Sequence, residues 1–118
     1  MPANRVRKTY FIVVVADMDR AVRFYAEAFD ASVVFSSAEW SEVRVAGATV
    51  ALHPGGDGTE TATGLGFEVD DLEAGLRQVT RAGGHVTSPA RDRPSERIRL
   101  AQVADTEGNL LTVAEARR

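Results

Sequence analysis

The sequence predicts an α+β fold in which two βαβββ modules form a curved mixed sheet. First, the apolar run at residues 11–15 is followed by Asp17 and by apolar residues spaced three and four apart, as in an amphipathic helix. Second, the same order of strand, acidic N-cap and helix returns 54 residues later, where Asp71 takes the place of Asp17. Third, further strand-like segments follow each helix. We therefore predict a single domain over residues 1–118, with module 1 at about 9–53, a linker at 54–63 and module 2 at about 64–114.

Module 1 begins with a strand at residues 9–16, where the β-branched run favours a buried strand. Asp17 can accept hydrogen bonds from the free N–H groups of the next turn, so a helix is predicted at 17–29. Residues 32–36 form the second strand, and the alternating segment 40–46 and the segment 48–53 form a hairpin around Gly47.

Module 2 begins with a strand at 64–70, in which Leu65, Phe67 and Val69 are expected to face the second helix at 71–82. Gly83 follows this helix as a C-cap signal. Short strands are predicted at 85–88, 97–104 and 110–114. The segment 88–97 is predicted to be a polar loop, and the segment 105–109 a tight turn in which Gly108 supplies a positive φ.

Composition excludes several classes of function. The 118 residues are 44% hydrophobic and 26% charged, as in an ordinary globular domain, and the net charge of −3 gives no reason to expect nucleic acid or an anionic membrane surface. The absence of Cys excludes disulfides and thiolate metal sites and fits a cytoplasmic location. No segment resembles a signal peptide, and none is apolar over the roughly 20 residues that span a bilayer.

Three segments carry a resemblance to a known family: VADMDRAVRFYAEAF, VDDLEAGLRQVTRAGG and DTEGNLLTV. With these segments the chain resembles the vicinal oxygen chelate superfamily, also called the glyoxalase/bleomycin resistance/extradiol dioxygenase family. Thr106 and Glu107 depart mildly from the family's D-P-D-G-N turn. The resemblance implies the glyoxalase/bleomycin resistance fold, with a ligand-binding hollow between the two sheets, and it does not specify a reaction.

The resemblance also implies where enzymes of this family bind a divalent metal, namely on the first and fourth strands of each module. The matching residues here are Tyr10, Ala51, Gly64 and Thr112. Because these residues offer neither carboxylate nor imidazole, which are the donors that such metals prefer, we expect no metal site and no cofactor.

The ligand-binding candidates are the residues that strand alternation directs toward the hollow. Tyr10 suits a pocket wall, and Trp40 could stack on a planar ligand while Arg44 binds an anion. Gly64 and Gly66 leave space for a bulky ligand, or they mark a bend. The full candidate set is Tyr10, Trp40, Glu42, Arg44, Ala51, His53, Gly64, Gly66, Glu68 and Thr112.

Three of these residues are also candidates for acid–base catalysis: Glu42, His53 and Glu68. Each has a simpler alternative, because Glu42 could form an exposed ion pair with Arg44, His53 lies at a strand end, and Glu68 could be a surface residue. Four arginines in or beside the polar loop could form a lid over an anionic ligand, or a solvated surface: Arg91, Arg93, Arg97 and Arg99.

Three functions are considered. The first is a metal-independent binding protein that holds a planar or hydrophobic small molecule, including an antibiotic in the manner of resistance proteins that act by sequestration. The second is a metal-free isomerase, cyclase or lyase in which His53, Glu68 or Glu42 transfers protons. The third, ranked last, is a metal-dependent glyoxalase or dioxygenase. The resemblance also implies a homodimer, because binders in this family are often dimers.

Overall fold

The computed structural model describes residues 3–117, and within that range each module contains one helix and four strands. In chain order the elements are β1 Phe11–Val15, α1 Met18–Phe29, β2 Ser32–Ser36, β3 Ser41–Val45, β4 Ala48–Pro54, β5 Thr61–Glu68, α2 Leu72–Arg81, β6 His85–Arg93, β7 Ile98–Ala104 and β8 Asn109–Ala116. No helix among the described residues is long and apolar enough to cross a membrane.

The strands form two four-stranded mixed sheets, which confirms the predicted α+β fold of two βαβββ modules. Sheet 1 has the strand order β1-β4-β3-β2, and sheet 2 has the order β5-β8-β7-β6. In each sheet the first and last strands of the module are parallel, and the other pairs are antiparallel. The parallel pair is possible because the intervening helix and strands carry the chain back across the sheet.

Both helices begin where their acidic caps predict. The carboxylate of Asp17 accepts a hydrogen bond from Arg20 N at 3.1 Å, and that of Asp71 accepts one from Ala74 N at 3.1 Å. At its C-terminus α1 ends at Asp30, which has φ 54°, and α2 is followed by Gly83 with φ 104°. These caps satisfy terminal backbone groups that would otherwise lack partners.

Each helix covers one face of its own sheet, and the two helices pack against each other. The covered faces share one hydrophobic core, in which Phe24, Tyr25, Leu52, Leu72 and Leu111 are the largest fully buried side chains. No helix within residues 3–117 covers the opposite face of either sheet. We call these two surfaces the open faces of sheet 1 and sheet 2.

The turn between β7 and β8 joins the two modules through buried carboxylates. Asp105 accepts a hydrogen bond from Tyr25 Oη at 2.6 Å, and Glu107 accepts from Ala16 N and Asp17 N at 2.9 and 2.8 Å. Arg20 forms a bidentate ion pair with Glu107, with its Nε 2.8 Å from Oε2. Module 2 thus supplies an anion to the N-terminus of α1, where the helix dipole favours one.

The environment of these side chains shifts their pKa values in opposite directions. Burial alone would raise the pKa of Glu107, but hydrogen bonds from Arg20, Thr106 and the backbone N–H groups of Ala16 and Asp17 outweigh it and lower the pKa from 4.5 to about 2. Burial, reinforced by the negative charge of Asp105, raises the pKa of Tyr25 well above its usual value. Glu107 is therefore ionised and Tyr25 is a neutral donor at neutral pH.

Several predicted element boundaries in module 2 were wrong. Residues 88–93, predicted as part of a polar loop, extend β6 and pair with β7, so only the short turn before Ile98 is a loop. Pro89 is accommodated because β6 is an edge strand. Likewise β5 begins at Thr61, inside the predicted linker. Phe67 also stacks on Phe29 of α1, with ring centroids 4.1 Å apart, a contact that the sequence did not predict.

The four arginines near this hairpin lie on strands or in a tight turn. Arg93 pairs with Glu96, and Arg99 pairs with Glu73 and Asp92, all through partly exposed side chains. Arg97 occupies the turn with φ 57°. These ion pairs support the interpretation of the arginines as a solvated surface over their interpretation as a lid on an anionic ligand.

Candidate functional site

The open face of sheet 1 collects every candidate residue of module 1. Cross-strand partners point to the same face, and Ala51 of β4 has Ile12 of β1 and Glu42 of β3 as its partners. His53 is likewise the partner of Val14. Alternation along β1, β3 and β4 therefore places the following residues on this face: Tyr10, Ile12, Val14, Trp40, Glu42, Arg44, Ala51 and His53.

Three of these side chains meet as an aromatic cluster, which we define as Tyr10, Trp40 and His53. The rings of Tyr10 and Trp40 are 5.6 Å apart with their planes at 81°, and those of Trp40 and His53 are 6.2 Å apart at 82°. Edge-to-face contacts of this kind are favourable for aromatic pairs. Tyr10 and Trp40 approach from either side of β4, and the small Ala51 beneath them is fully buried.

Glu42 lies beside the aromatic cluster as a fixed anion. Its carboxylate accepts from Trp40 Nε1 at 2.8 Å and forms an ion pair with Lys8 Nζ, and its side chain is only 14% exposed. The hydrogen bond from Lys8, followed by that from Trp40, lowers the pKa of Glu42 below its usual value. A carboxylate held in this way is a good acceptor for a cation and a weak general base.

His53 presents one ring nitrogen to the open face. Its Nδ1 lies 2.6 Å from the carbonyl oxygen of Pro54, which can only accept, so Nδ1 carries the proton. In the neutral ring Nε2 is then an acceptor. The residue is exposed at the end of β4, so it can contact a ligand or solvent.

The candidates of module 2 lie apart from the aromatic cluster, in sheet 2. Gly66 of β5 pairs with Thr112 of β8, and Gly64 forms a bulge with φ 77°. Gly66 and Glu68 line a groove of about 810 Å³ at the junction of the modules, whose apolar floor includes Phe29 and Phe67. The structure therefore divides the ten candidates into two groups.

The residues that match the family's metal positions do not fit a divalent ion. Tyr10 offers a phenol, Thr112 a hydroxyl, and Ala51 and Gly64 no side-chain donor. Among residues 3–117, no three His, Asp or Glu side chains converge as a metal site would require. The nearby Glu42 is already bound by Trp40 and Lys8.

Two parts of this arrangement escaped the sequence analysis. Lys8 lies in the N-terminal segment, residues 3–10, which contains no helix or strand, and nothing in its sequence links it to Glu42. Asp105 and Glu107 were recognised only as turn residues, although both are buried. The resemblance of the DTEGN turn to the family motif was the only signal that could have drawn attention to them.

Comparison with known proteins identifies the family. The model of the Glyoxalase/Bleomycin resistance protein/Dioxygenase superfamily matches residues 7–113. No curated protein matches the sequence closely enough to count as a relative.

Solved structures with the same fold share little sequence with this chain. The fosfomycin resistance protein FosX from Listeria monocytogenes has a TM-score of 0.78 at 16% identity, with 96% of this chain and 95% of that chain covered. The bleomycin-binding protein from Streptomyces verticillus, solved with copper(II)-bleomycin, has a TM-score of 0.70 at 18% identity, covering 98% and 99%. A glyoxalase-related enzyme from Fulvimarina pelagi has a TM-score of 0.75 at 20% identity, covering 92% and 87%.

Proposed function

The chain belongs to the Glyoxalase/Bleomycin resistance protein/Dioxygenase superfamily, and from that premise we propose that it is a metal-independent binding protein for a planar or hydrophobic organic ligand. The ligand lies against the open face of sheet 1. The observation that carries the proposal is the aromatic cluster of Tyr10, Trp40 and His53 on a face that no helix covers.

The chemistry of this face favours binding over proton transfer. Tyr10, Ile12 and Val14 are 43%, 49% and 45% exposed, so the face offers apolar surface as well as aromatic edges. The lowered pKa of Glu42 makes it a weak base, and Glu68 lies in the separate groove. The arrangement supplies His53 Nε2 as an acceptor that can contact a ligand.

Sequestration of an antibiotic is the biological role that we propose for such binding. The similar Streptomyces verticillus protein is described as bleomycin-binding, and FosX as a fosfomycin resistance protein. Sequestration requires only affinity, so it is compatible with a face that lacks a metal donor set.

We expect bleomycin or an uncharged planar aromatic compound to raise the melting temperature and to change the emission of Trp40. Because Trp40 is the only tryptophan of the chain, its fluorescence reports on this face alone. Binding at 100 times Kd would add about 2.7 kcal/mol of stability. Thermal unfolding and fluorescence titration provide the measurements.

Tyr10→Ala is expected to weaken binding about tenfold, because it removes one wall of the aromatic cluster. Arg77→Ala, an exposed change on α2, is the matched control and should bind as the wild type does. If no planar or hydrophobic compound changes the fluorescence or the melting temperature, the proposed function fails.

We also propose that the protein is a homodimer. Three consecutive residues of β2, namely Val33, Val34 and Phe35, are 48%, 50% and 53% exposed on the edge strand of sheet 1. An exposed apolar edge strand is a site at which a second chain can pair, and a second copy would cover it.

Phe35→Glu is therefore expected to convert the dimer to a monomer, since it places a charge among the exposed apolar residues of β2. Sedimentation velocity measures the change. Ala38→Glu adds the same charge three positions later, outside β2, and should leave the dimer intact. A wild-type protein that is monomeric at all accessible concentrations contradicts this proposal.

A further inference from the structure

We propose that Tyr10, Trp40 and Glu42 form a binding site for the cationic group of an organic ligand, and that the ammonium of Lys8 occupies this site until the ligand displaces it. The inference rests on the proposed function and adds a ligand class to it, namely aromatic or hydrophobic molecules that carry an ammonium or a guanidinium. We call the three residues the cation cage.

The first observation is the chemistry of the cage. The planes of Tyr10 and Trp40 are at 81°, so the two rings form a corner instead of a flat stack. The carboxylate of Glu42 is fixed beside this corner by its hydrogen bond from Trp40 Nε1. Aromatic rings combined with an anion attract cations through both the ring quadrupole and direct charge.

The second observation is that a cation of the chain itself already occupies this position. Lys8 Nζ lies 5.8 Å from the centroid of the Tyr10 ring, within the distance at which cation–π attraction acts, and it also forms the ion pair with Glu42. The Lys8 side chain is 47% exposed, whereas that of Glu42 is 14% exposed. Lys8 therefore covers the carboxylate from the solvent side.

The third observation is that Lys8 can leave without damage to the fold. It belongs to residues 3–10, an exposed segment that contains no helix or strand. Its departure would break one ion pair in which the Lys8 side chain is half exposed, and ion pairs that reach solvent contribute little to stability. A ligand cation with an attached aromatic or apolar group would gain the exposed apolar surface of Ile12 in addition.

The other charges nearby agree with a single cation site. Arg44 lies on the same face, and its charge is the smallest of the influences that lower the pKa of Glu42, after the hydrogen bonds from Lys8 and Trp40 and the charge of Lys8. A ligand cation would replace Lys8 and leave Arg44 where it is. The exchange keeps the charge balance of the face unchanged.

The test compares three probes that share one ring and differ in charge at pH 7: benzylammonium, benzyl alcohol and benzoate. Calorimetry and Trp40 emission measure their affinities for the wild type, Lys8→Ala, Glu42→Gln and Arg7→Ala. We expect the wild type to prefer benzylammonium. Lys8→Ala should bind benzylammonium about two- to fivefold more tightly, because the competing ammonium is gone, with little change for benzyl alcohol.

Glu42→Gln should abolish the preference for the cation, and Arg7→Ala, which removes an equal charge from the same segment, should change nothing. If Lys8→Ala binds benzylammonium and benzyl alcohol with equal affinity, the Lys8–Glu42 contact is only a surface ion pair and the inference is overturned. In that case binding of uncharged aromatics would still support the proposed function, so the two failures are distinguishable. The Lys8→Ala comparison decides the question even if Glu42→Gln is unstable.

Discussion

Gly108→Ala is expected to lower the free energy of unfolding by about 3 to 4 kcal/mol. Gly108 has φ 87°, a conformation that costs any other residue strain, and it is buried in the turn between β7 and β8. An added Cβ would meet the carbonyl oxygen of Gly58 and would lie 2.6 Å from that of Thr59. These obstacles are backbone atoms, which cannot rotate away as a side chain would.

The turn itself cannot shift to relieve the clash. Gly108 O accepts a hydrogen bond from Thr61 N at 2.9 Å, which fixes the turn to the start of β5. The neighbouring Glu107 and Asn109 bind α1 and β1 in module 1. A displacement at Gly108 would therefore loosen contacts of both modules.

Urea unfolding followed by circular dichroism measures this loss. Gly47→Ala is the matched control, because Gly47 has nearly the same φ, 84°, with no atom within 4 Å of an added Cβ. Gly47→Ala introduces backbone strain without a clash and should lower the free energy of unfolding by about 1 kcal/mol. Equal losses in the two variants would show that the contact with residues 58 and 59 is unimportant.

Glu107→Gln is expected to lower the free energy of unfolding by about 2 to 3 kcal/mol at pH 7. The buried carboxylate of Glu107 accepts from two backbone N–H groups of module 1 and forms the ion pair with Arg20. Glutamine removes the charge and places an amide N–H₂ where only acceptors fit. At least one of the donors on Ala16, Asp17 and Arg20 would then lose its partner.

The pH dependence of the free energy of unfolding distinguishes an electrostatic role of Glu107 from a packing role. Glu107 has a pKa of about 2 in the folded chain, below its ordinary value of 4.5, so the folded state favours the ionised form. Its contribution is complete above about pH 4.5 and is lost as the pH falls toward 2. The difference in stability between the wild type and Glu107→Gln should therefore shrink as the pH falls from 5 to about 3.

Unfolding curves at several pH values test this expectation. Glu96→Gln is the control, because Glu96 also pairs with an arginine but is exposed in the β6–β7 turn, and it should leave the unfolding midpoint unchanged. A difference between the wild type and Glu107→Gln that does not vary with pH would assign Glu107 to packing alone.

The predicted elements agree with the structure where local patterns decide them. Asp17 and Asp71 cap helices because a carboxylate satisfies free N–H groups at any helix start, wherever the helix later packs. The segment 88–93 differs from the prediction because its proline and charges suit a loop, whereas pairing with β7 holds it as an edge strand. Hydrogen bonds to β7 outweighed the local propensity of this segment to form a loop.

The candidate site shows the same contrast between what local sequence patterns predict and what contacts between distant residues decide. Period-two alternation was sufficient to place Glu42, Ala51 and His53 on one face, and the register of β1, β3 and β4 then aligned them. It gave no indication that Tyr10 and Trp40 meet across Ala51 or that Lys8 binds Glu42. The ligand role of these residues remains a prediction that the titrations above test.

The sequence by itself determined the repeated module, the helix caps and the face to which each strand residue points, because these depend on dihedral preferences and periodicities within a few residues. Only the tertiary structure decided that Glu107 caps the helix of the other module and that Lys8 covers the cation cage. Such contacts join residues 34 and 90 positions apart. They depend on how strands and modules pack together, which local preferences do not specify.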